Sequence, residues 1–146
     1  MASTTIGPTS RKGFAPRRLV WVGPLTILVA TLVNLVIRST AVAFFGVPEG
    51  FTYLQAPFVI GSTVILLVLA LAAFILVGRF ARRPVRSFRM LAVVALLVSF
   101  LNPIMALAGL FPAPGMDLSI FWTMIVMHTV TALITVSLLT TLAVEP

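Results

Sequence analysis

The sequence predicts an all-α fold, a transmembrane four-helix bundle with both termini cytoplasmic. Three observations carry that expectation. Four apolar runs each reach about the twenty residues a helix needs to cross a bilayer, charge is nearly absent inside them, and basic residues crowd two of the intervening segments. Of 146 residues, 60% are apolar and 9% charged, with a mean hydropathy of +1.19. Soluble domains average about 45–50% apolar and about 25% charged. So few charges cannot cover a core that faces water, and lipid takes the place of the polar shell.

The first eighteen residues are rich in Ser, Thr, Gly and Pro and carry Arg11, Lys12, Arg17 and Arg18. This composition predicts a disordered basic cytoplasmic tail over 1–18, followed by one membrane domain over 19–144. The spans are expected at Leu19 to Ile37, Pro57 to Val77, Met90 to Leu110 and Leu118 to Val144. Their β-branched residues would favour strands in water. An unpaired strand cannot satisfy its backbone in hydrocarbon, so helix is expected.

Span one follows a basic tail and precedes Ala41-Val42-Ala43, which imitates a signal-peptidase site. Its apolar run exceeds the roughly 7 to 15 residues of a signal sequence, and Arg38 intervenes, so an uncleaved anchor is expected. Arg17-Arg18 also matches the pair of a twin-arginine signal. Pro24 is placed near the first turn, where a missing amide hydrogen costs little. The next segment, Arg38 to Ala56, carries Phe44, Phe45, Phe51 and Tyr53 around Pro48-Glu49-Gly50, a turn with aromatic interface anchors. A re-entrant or ligand-covering course for it stays open.

After span two, the segment Gly78 to Arg89 places Arg79, Arg82, Arg83, Arg86 and Arg89 on one face if helical. Such a strip suits anionic lipid head groups on the cytoplasmic side, and it equally serves as a plain topology determinant. With the tail, these segments hold nine basic residues, against Arg38 alone in the other two connections. The positive-inside rule therefore turns the tail and the 78–89 segment toward the cytoplasm, and the expected location is the plasma membrane.

Span three carries small residues at Ala92, Ala95, Ser99, Asn102, Ala106 and Gly109, stepping three and four and so sharing one face. Small residues let helix backbones approach closely, which predicts a packing seam. Asn102-Pro103 adds an irregularity, because proline leaves the carbonyl of Ser99 without its donor. Span one presents Asn34 and Arg38 on one face, and span four presents His128 and Thr131. Polar groups at membrane depth should face inward. Asn34, Arg38, Asn102, His128 and Thr131 are thus the candidate intramembrane polar site, expected in the outer half of the membrane with Arg38 at its mouth. Interhelical hydrogen bonds serving packing are the competing reading.

No cysteine is present, so disulfides, thiolate metal sites and thiol nucleophiles are excluded. One histidine and three acidic residues leave no plausible metal set, paired-carboxylate centre or cofactor site, and no catalytic residue is expected. The net charge of +7 lies at the membrane edges, not on a face with aromatic readout residues, which argues against nucleic acid. A faint internal likeness links Asn34 with Asn102, and Phe45-x-x-Pro48 with Phe111-x-x-Pro114, each followed by a glycine.

Asn34 late in span one, the run Arg79-x-x-Arg82-Arg83-Pro84-x-Arg86-x-Phe88, Pro103, and Met127-His128 followed by Thr131-Ala132 resemble a family of small bacterial four-span membrane proteins of uncharacterised function. The resemblance covers Leu19 to Leu142 and implies the four-helix architecture and a bacterial plasma membrane. It supplies no activity. Two functions then compete: a non-enzymatic interaction or accessory subunit, packed with a second copy or a membrane partner, and a small transporter or channel built around the polar site.

Overall fold

Each apolar run is helical in the computed structural model, which describes residues 16–143. Helix α1 is Pro16–Phe44, α2 is Ala56–Phe80, α3 is Pro84–Ser99, α4 is Leu101–Leu107 and α5 is Leu118–Leu142. A 3-10 turn, Thr52–Leu54, lies between α1 and α2. Helices α3 and α4 form one spanning unit, Pro84–Leu107, so four segments are long and apolar enough to cross a membrane. Among the described residues there is no strand.

Local sequence explains the boundaries. Pro57 and Pro84 stand in the first turns of α2 and α3, where proline's missing N–H is not needed. Asp117 caps α5 by accepting the Ile120 amide at 2.8 Å. At the far end of α4, Gly109 adopts φ +72. The Leu110 amide donates to the Met105 carbonyl and the Gly109 amide to that of Ala106. This pair of bonds is the Schellman closure, which favours a residue without Cβ.

Several helix ends differ from the expected spans. Helix α2 runs to Phe80, three residues past Val77, and α3 begins at Pro84, six before Met90, so a break at 81–83 parts Arg79 from Arg86 and Arg89. The tail expected over 1–18 falls outside the described residues as far as position 15, but Pro16, Arg17 and Arg18 already belong to α1. Proline is well placed to start the helix there. The same helix runs seven residues past Ile37 to Phe44, so Arg38 is helical. Pro24 is consequently the ninth residue of α1, inside the helix and not in its first turn.

The spans run alternately up and down. One end gathers the start of α1, the connection between α2 and α3, and the end of α5. This is the arginine end, holding Arg17, Arg18, Arg79, Arg82, Arg83, Arg86 and Arg89. The other is the loop end. Helix α1 packs chiefly on α5 and α2, while α3 packs on α2 and α5 from the opposite side. Gly23 lets α1 approach α2, since a Cβ there would stand 3.2 Å from a Leu71 methyl.

The core has two apolar clusters. At the loop end Ala41, Val47, Phe51, Leu54, Val59, Ile120 and Met127 are buried together. At the arginine end Val22, Phe74, Phe88, Leu139 and Ala143 form the second, with the Phe74 and Phe88 rings edge to face at 4.8 Å. The segment 45–55 lies over the loop-end cluster as a cap. Tyr53 contacts the rings of Phe51, Phe58 and Phe111 and donates its hydroxyl to the Pro112 carbonyl at 3.2 Å, tying both loop-end connections together.

Candidate functional site

Between the two apolar clusters the bundle carries its polar side chains, and they divide into two groups. Asn34 of α1 is buried. Its amide nitrogen donates to the hydroxyls of Thr63 on α2 at 3.0 Å and Thr131 on α5 at 2.9 Å, and its amide oxygen accepts from Thr131 at 3.2 Å. One asparagine thereby joins three helices. This is the packing role expected for some polar residues in a membrane bundle.

Asn102 and His128 behave differently. Neither makes a side-chain hydrogen bond among the described residues, and both line a cavity of about 310 Å³ between α2, the third span and α5, whose wall Asn34 of α1 also reaches. Small-molecule pockets run from about 300 to 1,000 Å³, so this one is large enough for a slender ligand. Ser62, Thr63, Ser99 and Thr131 also contribute to its wall. Ser99 turns its hydroxyl back to the Leu96 carbonyl at 2.7 Å, and Thr135 likewise bonds Thr131 within α5.

The expected small-residue seam is redistributed. Ala92, Ala95, Ser99 and Asn102 line the cavity. Ala106 is buried, and Gly109 serves as the left-handed residue that closes α4. The six residues do share a helical pattern. Spacing shows which residues share a face; it does not show whether a neighbour fills it.

Arg38 stands apart from the cavity. Its Nε donates to the Leu54 carbonyl at 2.5 Å, holding the 3-10 turn over the loop-end cluster. The expected role at the mouth of the site passes to Tyr53, Leu54 and Phe58, which line the cavity's loop end. Sequence reading assigns the aromatics of this connection to the interface and leaves a ligand-covering course for it open. The signal that could have found them is the run of four aromatic rings, Phe44, Phe45, Phe51 and Tyr53, in so short a connection.

The third span explains the shape. Pro103 has no N–H to offer Ser99, and the helix is interrupted at Phe100 between α3 and α4. Beyond the interruption α4 packs on α5 and not to any extent on α2. Cavity-lining Phe58 and Leu66 of α2 and Leu91 of α3 stay between 42% and 48% exposed, and Ala95 and Asn102 are exposed too. The lining residues of α5 are buried or half-buried. Helix α5 is therefore the floor, and the cavity opens sideways between α2 and the third span.

Acid–base and metal chemistry find little to work with. Among the described residues no group of three metal-ligating side chains exists. Asp117 caps α5 eleven residues before His128, about 16 Å along the axis. The Ile120 amide and the Ser119 hydroxyl bonded to its carboxylate hold Asp117 below the ordinary carboxylate range. Glu49 is exposed on the loop-end cap.

A family model described as a family of unknown function, DUF6069, matches residues 14–144. The chain belongs to this family. No curated protein and no solved structure is significantly similar to it. The family match spans all four helices and the cavity between them, and it brings no assigned activity.

Proposed function

We propose that this DUF6069 protein is a non-enzymatic multi-pass membrane protein that takes a small molecule into the cavity between α2, the third span and α5. The observation carrying this reading is the contrast among its polar residues. All three line the cavity, but Asn34 has its hydrogen bonds met by Thr63 and Thr131, whereas Asn102 and His128 make none among the described residues. A polar group at membrane depth left without a protein partner is unfavourable unless water or a ligand meets it. Among the described residues no acidic partner stands near His128 to assist it as a general base, which favours binding over catalysis.

Positive-inside orientation sets the arginine end in the cytoplasm of a plasma membrane, with anionic head groups at Arg79, Arg82, Arg83 and Arg86. Asn102 and His128 then stand in the outer half. The test uses the cysteine-free background in proteoliposomes. Asn102→Cys and His128→Cys should react with a small thiol reagent able to enter from water or bilayer, while Ile120→Cys and Leu139→Cys, at fully buried positions, should not. Failure of both cavity positions to react overturns the reading.

A second reading, an accessory subunit, has its own observation. Only 11% of the third span's apolar window is buried, against 22–28% in the others. A partner helix or a second copy laid along that face would cover the opening. Sedimentation of the solubilised protein as a monomer with a reactive cavity argues against it. A stable complex in which positions 102 and 128 are protected supports it.

A further inference from the structure

The cavity carries a polar band inside a loop-end mouth of Tyr53, Leu54, Phe58 and Val59, and beyond the band, toward the arginine end, its wall turns apolar. On α2 its wall runs from Phe58 to Ala73, about 22 Å along the helix axis. Ser62, Thr63, Ser99, Asn102, His128 and Thr131 gather in the part nearer the loop end. Toward the arginine end the wall is Ala70, Ala73, Phe88, Leu91, Ala92 and Ala95, with Thr135 the polar exception. The Thr135 hydroxyl is already bonded to the Thr131 carbonyl at 2.7 Å. Alanines make this section narrow-walled but hollow, a shape for a thin chain.

Among the described residues lining the cavity none is charged. A ligand bearing a full charge would lose its hydration there without gaining a counter-ion, which is costly in a low-dielectric site. An amide and a neutral imidazole each donate and accept hydrogen bonds, matching a hydroxyl or carbonyl group. With the four apolar helices crossing a bilayer, an opening between the sides of α2 and the third span adjoins the acyl chains.

Resting on the binding reading above, we propose that the ligand is an uncharged amphiphile drawn laterally from the bilayer. Its hydroxyl or carbonyl head meets Asn102 and His128, and its single apolar tail lies along Ala70, Ala92 and Ala95. The tail points toward the arginine end.

The experiment uses full-length protein in proteoliposomes with Ser99→Cys as reporter and a small thiol reagent. Hexadecanol should slow modification severalfold, and palmitate and hexadecyltrimethylammonium, which share the chain but carry charge, should do so much less. Adding Asn102→Leu should remove the protection, and so should Ala95→Trp, which fills the tail section. Val93→Trp, on an exposed face, should leave the protection intact and shows that a bulky residue in this helix does not unfold it. Equal protection by all three amphiphiles overturns the inference, since partition into the bilayer would then suffice. A reporter thiol that reacts at position 99 and that hexadecanol fails to protect overturns the amphiphile while leaving small-molecule binding standing. Absence of reaction at positions 99, 102 and 128 together overturns both.

Discussion

Three residues that look alike in the sequence separate once their partners are known. Asn34, Asn102 and His128 are each a polar residue in an apolar helix, and spacing alone cannot tell a satisfied amide from an unsatisfied one. Asn34 touches Thr63 and Thr131 because α1, α2 and α5 converge there. Interhelical hydrogen bonds in membranes average about 0.6 kcal/mol and reach about 1.7, so Asn34→Ala should lower unfolding stability by about 1 to 2 kcal/mol. Asn102→Ala and His128→Ala should stay within about 0.5 kcal/mol of the parent, as substitutions away from packed networks do. Equilibrium unfolding in mixed micelles measures all three, and a large loss at position 102 or 128 would assign them to packing. Asp117 gives a second prediction. As an N-cap its replacement by alanine should cost about 0.5 to 2 kcal/mol. Its folded carboxylate lies below the unfolded value of about 3.9, so the cap's ionised contribution is complete above that pH and is lost as pH falls through the lower folded value. Asp117→Asn should keep the cap and flatten this acid dependence in a pH series of melts.

At the level of the helix, hydropathy makes the four spans legible because twenty apolar residues have few alternatives to a spanning helix. Ends are less legible. Arg38 reads as interfacial in the sequence, yet the Leu54 carbonyl that receives its Nε comes from a turn sixteen residues away, and α1 continues through it. The interruption near Pro103 follows from the missing N–H, whereas its consequence, α4 packing on α5 without α2, depends on tertiary contacts that no local pattern encodes. Pro103→Ala returns a donor to the Ser99 carbonyl and should make the third span continuous. The Ser99→Cys reporter should then react severalfold more slowly as α4 comes nearer α2, and an unchanged rate would mean that proline does not set the opening. Gly109→Ala should cost about 1 to 2 kcal/mol, because an L-residue is forced into the left-handed conformation that ends α4. Thermal melts of this variant beside the control Gly61→Ala, whose added methyl meets open space, measure that cost.

Across the whole molecule, two apolar clusters hold the helix ends and leave the middle to polar residues and a cavity. This arrangement makes orientation decisive, because it determines which leaflet the cavity's polar part adjoins. Seven of the described arginines gather at one end, and the eighth, Arg38, binds a backbone carbonyl near the other. Arg89, the sixth residue of α3, directs its guanidinium to the Thr140 hydroxyl at 3.3 Å, so this cation is held by α5 at the same end. Moving such a cluster across a bilayer is far harder than moving the single Arg38, which is the physical content of the positive-inside rule. In intact cells an impermeant thiol reagent should therefore label Phe45→Cys and Ala113→Cys, from the two loop-end connections, and should label Ala81→Cys only after permeabilisation. The reverse pattern would turn the molecule over and place Asn102 and His128 in the inner leaflet. Equal labelling of all three positions in intact cells would reveal two orientations in one membrane.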